Sequence, residues 1–123
     1  MQTWQIKFNQ EISRANDSRA RGNEGQARVC ARRAAGVIVR EYFSRRGIRV
    51  LSPSAYDLLN SLVEMDDLPE DVHQSAGFLT LRVDEEFKLP PGIDLVQEAY
   101  TLCERLLPED GSPQGWDDHL VEH

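Results

Sequence analysis

The chain has 123 residues and a formal charge of -7, with 40% hydrophobic and 28% charged residues, enough for one domain around a single core. The acidic balance argues against wholesale nucleic-acid binding, because long-range attraction to phosphate follows the summed field. The longest apolar run, Ala34 to Val39 with Gly36 inside it, falls far short of the roughly 20 residues that span a bilayer, so no membrane association is expected.

Apolar residues recur at helical spacing and no stretch alternates with period two for long, which predicts an all-α fold. The first helix is expected over Thr3–Ala20, with Trp4, Phe8, Ile12 and Ala15 on one stripe and Thr3 as its cap. Gly22 interrupts it. A second helix starts at the N-cap Asn23, with Glu24 suiting the helix dipole, and places Ala27, Ala31, Ala34, Ile38 and Tyr42 on a small-residue face. Arg45 and Arg46 fall in its last turn and Gly47 takes the C′ position. A third helix capped by Ser52 or Ser54 carries Tyr56, Leu59, Leu62 and Val63. Pro69 opens a fourth, whose stripe of Val72, Ala76, Leu79, Val83 and Phe87 runs up to the Pro90-Pro91-Gly92 break. The fifth, about Ile93 to Leu107, has an apolar sector broad enough to be buried on two sides. The expected architecture is an up-and-down bundle of about five helices over residues 1–107, followed by an acidic, mobile tail over 108–123.

Charge is divided unevenly along this order. Arg14 to Arg49 holds ten Arg against Asp17, Glu24 and Glu41, whereas from Val50 onward Arg82, Lys88 and Arg105 face seventeen acids. A local basic stripe can collect an anion that is small or locally docked. Alternatively, helices of opposite charge simply pack side by side, with exposed pairs worth about 0–1 kcal/mol each.

The two cysteines, Cys30 and Cys103, fall on helix faces that read as buried, the usual place for a reduced cysteine acting as a small apolar residue. With no Cys-x-x-Cys, no nearby His and no charged-then-apolar leader, neither a metal site nor a cofactor is expected, and a cytoplasmic protein is. The acidic turn Glu64, Asp66, Asp67, Glu70 and Asp71 matches no calcium loop and reads as solvated, and His73 reads as a surface residue.

The helix Ala27-Arg28-Val29-Cys30-Ala31-Arg32-Arg33-Ala34-Ala35, its end Arg45-Arg46-Gly47-Ile48, the restart Tyr56-Asp57-Leu58, and Leu79 to Lys88 before a Pro-rich break together resemble the HEPN domain. That family of small helical bundles is often encoded beside a minimal nucleotidyltransferase. The resemblance covers roughly Trp4 to Leu107. It implies a homodimer, a nucleotidyltransferase-type partner, and Arg82 as the equivalent of an arginine before the last helix. Ribonuclease members carry an Arg followed four to six residues later by a His, and no Arg here stands so before His73, His119 or His123. Tyr56 also replaces the His of the family's His-Asp-Leu start. A proton-transfer group titrating near neutrality is therefore absent from both expected places.

No catalytic residue is assigned. The candidate ligand-binding residues are Arg28, Arg32, Arg33, Arg40, Asp57 and Arg82, because a guanidinium binds phosphate or carboxylate bidentately and stays charged at any working pH. Structural ion pairing is the competing role for the arginines, and helix initiation for Asp57. The expected function is a non-catalytic HEPN-like binding protein, taking a nucleotide, RNA or an acidic protein partner on its Arg-rich helix. The alternatives are a divergent metal-independent ribonuclease of toxin-antitoxin type and a purely structural partner of a nucleotidyltransferase.

Overall fold

Two glycines set the lengths of the first two helices. In the computed structural model, which describes residues 2–81 and 92–113, α1 spans Thr3–Ala20 and α2 spans Glu24–Arg45. Gly22 (φ 79°) and Gly47 (φ 70°) adopt the left-handed conformation one residue beyond each C-cap. Asn23 N–H then donates to Ser18 O at 2.8 Å and Gly22 N–H to Arg19 O at 3.0 Å; Ile48 and Gly47 repeat the pattern on Phe43 O and Ser44 O. This Schellman arrangement satisfies carbonyls that a helix end leaves open. Asn23 caps α2 by accepting from Gln26 N–H at 3.1 Å. At the start of α1 the cap is Gln2 rather than the expected Thr3, and the Gln5 carboxamide accepts from Gln2 N–H at 2.8 Å.

The turn around Gly22 folds α2 back antiparallel on α1, so that the Arg45 guanidinium lies 5.6 Å from the centre of the Trp4 ring. Three further helices follow: α3 (Ala55–Val63), α4 (Glu70–Thr80) and α5 (Leu95–Leu106), with a 3-10 turn at Pro108–Asp110. The fold is an all-α bundle of five α-helices among the described residues, none long and apolar enough to cross a membrane. Central α2 packs on α1, α5 and α3, and α4 bridges α3 to α5. The core joins Phe8 and Ala15 of α1, Ala31, Ala34 and Ile38 of α2, Leu59 and Leu62 of α3, Leu79 of α4, and Leu102 and Cys103 of α5. Alanines on α2 keep its neighbours close, and Gly36 goes further: a Cβ there would lie 2.6 Å from Ala55 Cβ. The first turn of α3 thus rests on the backbone of α2.

Further details differ from expectation. Pro69 is the N-cap of α4 rather than its first residue, and the helix stops at Thr80, with Leu81 extended (φ -67°, ψ 132°). Val83 and Phe87, expected to prolong its stripe, lie outside the described residues, as do Arg82 and residues 114–123. His73 is half-buried rather than on the surface, and its ring Nε2 hydrogen-bonds the Met65 carbonyl across the α3–α4 turn. The first residues of the expected tail, Pro108–Asp110, form the 3-10 turn and are held by Arg45.

Candidate functional site

The arginines of α2 do not form one face. A residue advances about 100° around a helix, so Arg33 and Arg40, seven apart, point within about 20° of each other. Arg28 and Arg32, four apart, form a second pair centred about 110° away. The two directions meet different surroundings.

Arg32 turns toward α4. Its Nε donates to Leu79 O at 2.8 Å and its Nη2 to Leu81 O at 3.0 Å, placing a cation on the carbonyls at a helix C-terminus, where the dipole favours it. Arg28 is half-buried, and its Nε is buried without a hydrogen-bond partner among the described residues. Neither residue lines the groove beside α1.

Arg33 and Arg40 do line it. An open groove of about 1010 Å³ runs between α1, α2 and the start of α3, large enough for a nucleotide-sized ligand. Its α1 wall is Thr3, Lys7 and Glu11, one helical stripe at intervals of four; its α2 wall is Arg33, Gly36, Val37 and Arg40, spaced i, i+3, i+4, i+7; Pro53, Ser54 and Ala55 close the third side. Because Gly36 lacks a side chain, the N-terminus of α3 reaches the groove, adding the partial positive charge of a helix start.

Lys7 and Arg33 make no ion pair or hydrogen bond among the described residues. Arg40 donates from Nη2 to Pro53 O at 3.1 Å, a bond that tethers the link to α2 while the rest of its fork stays exposed. The two carboxylates in the groove are turned to other arginines. Glu41 Oε2 accepts from Arg45 Nε at 2.9 Å, and Glu11 Oε2 lies 3.5 Å from Arg14. Three cations and a helix N-terminus therefore line the groove against the two carboxylates Glu11 and Glu41, a balance that fits a phosphate or carboxylate.

Arg45, read from sequence as a dipole-complementing residue, is a junction beside this groove. Besides Glu41 it pairs with Asp110 at 2.7 Å and Glu109 at 3.7 Å, and it covers Trp4. The Glu41 hydrogen bond, opposed by burial and assisted by Asp110, raises its pKa further. Trp4 is buried at 7% exposure, in keeping with a core anchor, while its rim reaches the groove.

Asp57 lies apart, at the start of α3. Its backbone N–H donates to Ser54 Oγ at 3.4 Å, and its Oδ2 accepts from Ser52 Oγ at 2.7 Å. Of the six candidates the structure brings Arg33 and Arg40 together, gives Arg32 and Asp57 structural partners, leaves Arg28 outside the groove, and does not describe Arg82. Sequence reasoning missed Lys7. Its spacing from Thr3 and Glu11 marks a polar flank beside the Trp4 stripe, but only the α1–α2 hairpin shows that this flank faces Arg33. The described residues contain no cluster of His, Cys, Asp and Glu able to hold a metal ion. Comparison with protein-family models, curated proteins and solved structures finds no match to this chain.

Proposed function

We propose that this chain is a non-catalytic binding protein of HEPN type whose ligand is a phosphate-bearing molecule of nucleotide size, a mononucleotide or a short RNA segment, seated in the groove between α1 and α2. The observation that carries the reading is the convergence of Lys7 and Arg33, without partners among the described residues, with Arg40 and the α3 N-terminus on one cavity. Guanidinium groups pair bidentately with phosphate and lysine adds a point charge, so an anion gains several charge-assisted hydrogen bonds. The chain's acidic total limits long-range attraction to polyanions, which favours a short ligand over duplex nucleic acid.

Calorimetric titration with AMP, GMP and a tetraribonucleotide at low salt tests the proposal. Saturable binding is expected, weakened about tenfold by Lys7→Ala and by Arg33→Ala, since losing one charge-assisted contact costs at least about 1.4 kcal/mol. Arg21→Ala, near the far end of α1 and bonded to the Asp17 carbonyl, is expected to leave affinity unchanged. Absence of saturable binding, or binding indifferent to the groove substitutions, defeats the reading.

A further inference from the structure

The groove between α1 and α2 holds an acceptor in need of a donor as well as its cations. Glu11 stands on the α1 wall one turn beyond Lys7, with its side chain 17% exposed. Its Oε1 is buried and has no hydrogen-bond partner among the described residues. Its Oε2 lies 3.5 Å from Arg14 Nη1, on a side chain that is 63% exposed, which is the outer limit of a hydrogen bond and a weak hold in water. Lys7 and Arg33 line the same groove, yet neither pairs with Glu11 among the described residues. The groove's other carboxylate, Glu41, is bound at 2.9 Å by Arg45. An ionised acceptor buried without a donor is costly, so Glu11 is the group that a ligand's N–H would satisfy. The antiparallel hairpin places it. Glu11 comes across from the Arg33 end of α2, and Thr3 from the Arg40 end, where the start of α3 enters. Eight residues of α1 separate Thr3 from Glu11, about 12 Å of helix. A phosphate held by Lys7, Arg40 and the α3 N-terminus therefore leaves the other end of its nucleotide beside Glu11.

We propose, resting on the nucleotide reading of this groove, that Glu11 reads the base and selects guanine. A carboxylate only accepts, through two oxygens set side by side. Guanine carries two donors side by side on one edge, N1–H and the N2 amino group, and meets both oxygens at once, as an arginine fork does. Hypoxanthine keeps N1–H and lacks the amino group. Adenine offers its N6 amino group but sets the bare N1 lone pair against the second oxygen, and cytosine does the same with N4 and N3. Uracil places its one N–H between two carbonyls. Of the four RNA bases, guanine alone supplies a donor to each oxygen. The terminal torsion of a glutamate is broad, so Glu11 turns Oε1 out to the base at small cost and gives up a weak contact with Arg14. Rejection of the other bases follows from the same chemistry, because a site that hydrogen-bonds a donor is left with an unpaired polar group when the donor is missing.

Titration calorimetry of the full chain with GMP, IMP and AMP is the test, on the wild type and on Glu11→Gln. The wild type is expected to bind GMP most tightly, IMP about tenfold or more weakly for want of one charge-assisted hydrogen bond, and AMP more weakly still. Glu11→Gln replaces one acceptor by a donor. A carboxamide pairs bidentately with an adenine edge that offers a donor beside an acceptor, and it opposes a donor to one of guanine's two. Because removing a negative charge from the groove favours every anion alike, the readout is the ratio of GMP to AMP affinity, which is expected to fall by about tenfold or more in Glu11→Gln. The wild-type order of the three nucleotides needs no variant, so it tests Glu11's selection even if Glu11→Gln is poorly folded. Saturable binding with no preference for GMP overturns the selection and leaves the groove reading standing, as does a preference that Glu11→Gln leaves unchanged. No saturable binding of any of the three defeats both.

Discussion

At the scale of single residues, the two helix-interior glycines Gly36 and Gly77 have opposite consequences. Gly36 lies where α3 meets α2, and a methyl group there would collide with both Cβ and Cα of Ala55, at 2.6 and 3.0 Å. Because one of those atoms is backbone, relief requires α3 to move. Gly36→Ala is expected to destabilise by about 1–3 kcal/mol, the usual cost of overpacking, and to deform the α3 wall of the basic groove. Gly77, inside α4, has nothing within 4 Å of a built Cβ. Gly77→Ala is therefore expected to stabilise by about 0.5–1 kcal/mol, by lowering the entropy of the unfolded chain. Thermal or urea unfolding of the two variants side by side checks both signs. Arg32 belongs to the same scale: Arg32→Ala removes a charged donor from two carbonyls and is expected to cost about 1.5–3 kcal/mol. That loss would appear in unfolding whether or not a ligand binds, whereas Arg33→Ala should leave the unfolding transition nearly where it is.

Helices meet at their ends through a few charged side chains, and the joint of α1, α2 and α5 shows how. Arg19 donates to both carboxylate oxygens of Asp94 at 3.1 Å and reaches Glu24 at 3.2 Å, while Asp94 also accepts from Val96 N–H at 2.9 Å as the N-cap of α5. Burial pushes the Asp94 carboxyl upward, but the Arg19 pairing and the Val96 amide outweigh it and leave its pKa below the usual value; Arg19 is raised in turn, chiefly by Asp94. A carboxylate whose folded pKa is lowered contributes stability that is complete above its unfolded pKa, about 3.9, and is lost as pH falls through the folded value. The Asp94 side chain is 39% exposed, so solvent screening holds this contribution to about 1 kcal/mol or less. Asp94→Asn should cost about that much at pH 7, and the gap between wild type and variant should close as pH falls through the lowered folded pKa of Asp94. A gap that persists to the lowest pH reached would assign Asp94's effect to geometry rather than charge.

Such joints mark the limit of what the sequence made legible. Helix number, the Gly22 and Gly47 ends and the Asn23 and Ser54 caps follow from local chemistry and appear as expected. The pairings Arg19 with Asp94, Arg32 with Leu79 and Leu81, and Arg45 with Asp110 link residues 47 to 75 positions apart, and no local spacing encodes them. The candidate site was legible in the same partial way. Wheel geometry alone separates Arg33 and Arg40 from Arg28 and Arg32. That the first pair faces Lys7 depends on how α1 folds back.

Across the whole molecule, the basic first half and the acidic second half meet at Arg45, which joins Trp4 of α1 and Glu41 of α2 to Glu109 and Asp110 beyond α5. This junction holds the Pro108–Asp110 turn against the bundle, and Cys103 lies under it. Burial, with the negative charges of Glu104 and Asp110 adding to it and Arg45 opposing, pushes the Cys103 thiol up to about 12. Only the thiolate attacks an alkylating reagent, so native Cys103 is protected twice, by access and by protonation. Its reaction must therefore wait for an opening of the C-terminal end of the bundle. Arg45→Ala removes the two strong pairings and the cover over Trp4, and is expected to speed alkylation of Cys103 by tenfold or more, an opening made easier by about 1.4 kcal/mol or more. Cys30 lies on α2 near the Asn23 cap, where the Gln26 amide reaches its sulfur at 3.6 Å. It is expected to keep its wild-type rate unless the whole domain has been destabilised. Mass spectrometry of timed iodoacetamide reactions resolves the two sites. Equal acceleration at both would show that Arg45 stabilises the bundle globally; acceleration at Cys103 alone would show that it fastens one end, and unchanged protection at both would mean that apolar packing of Leu106 and Leu107 suffices without it.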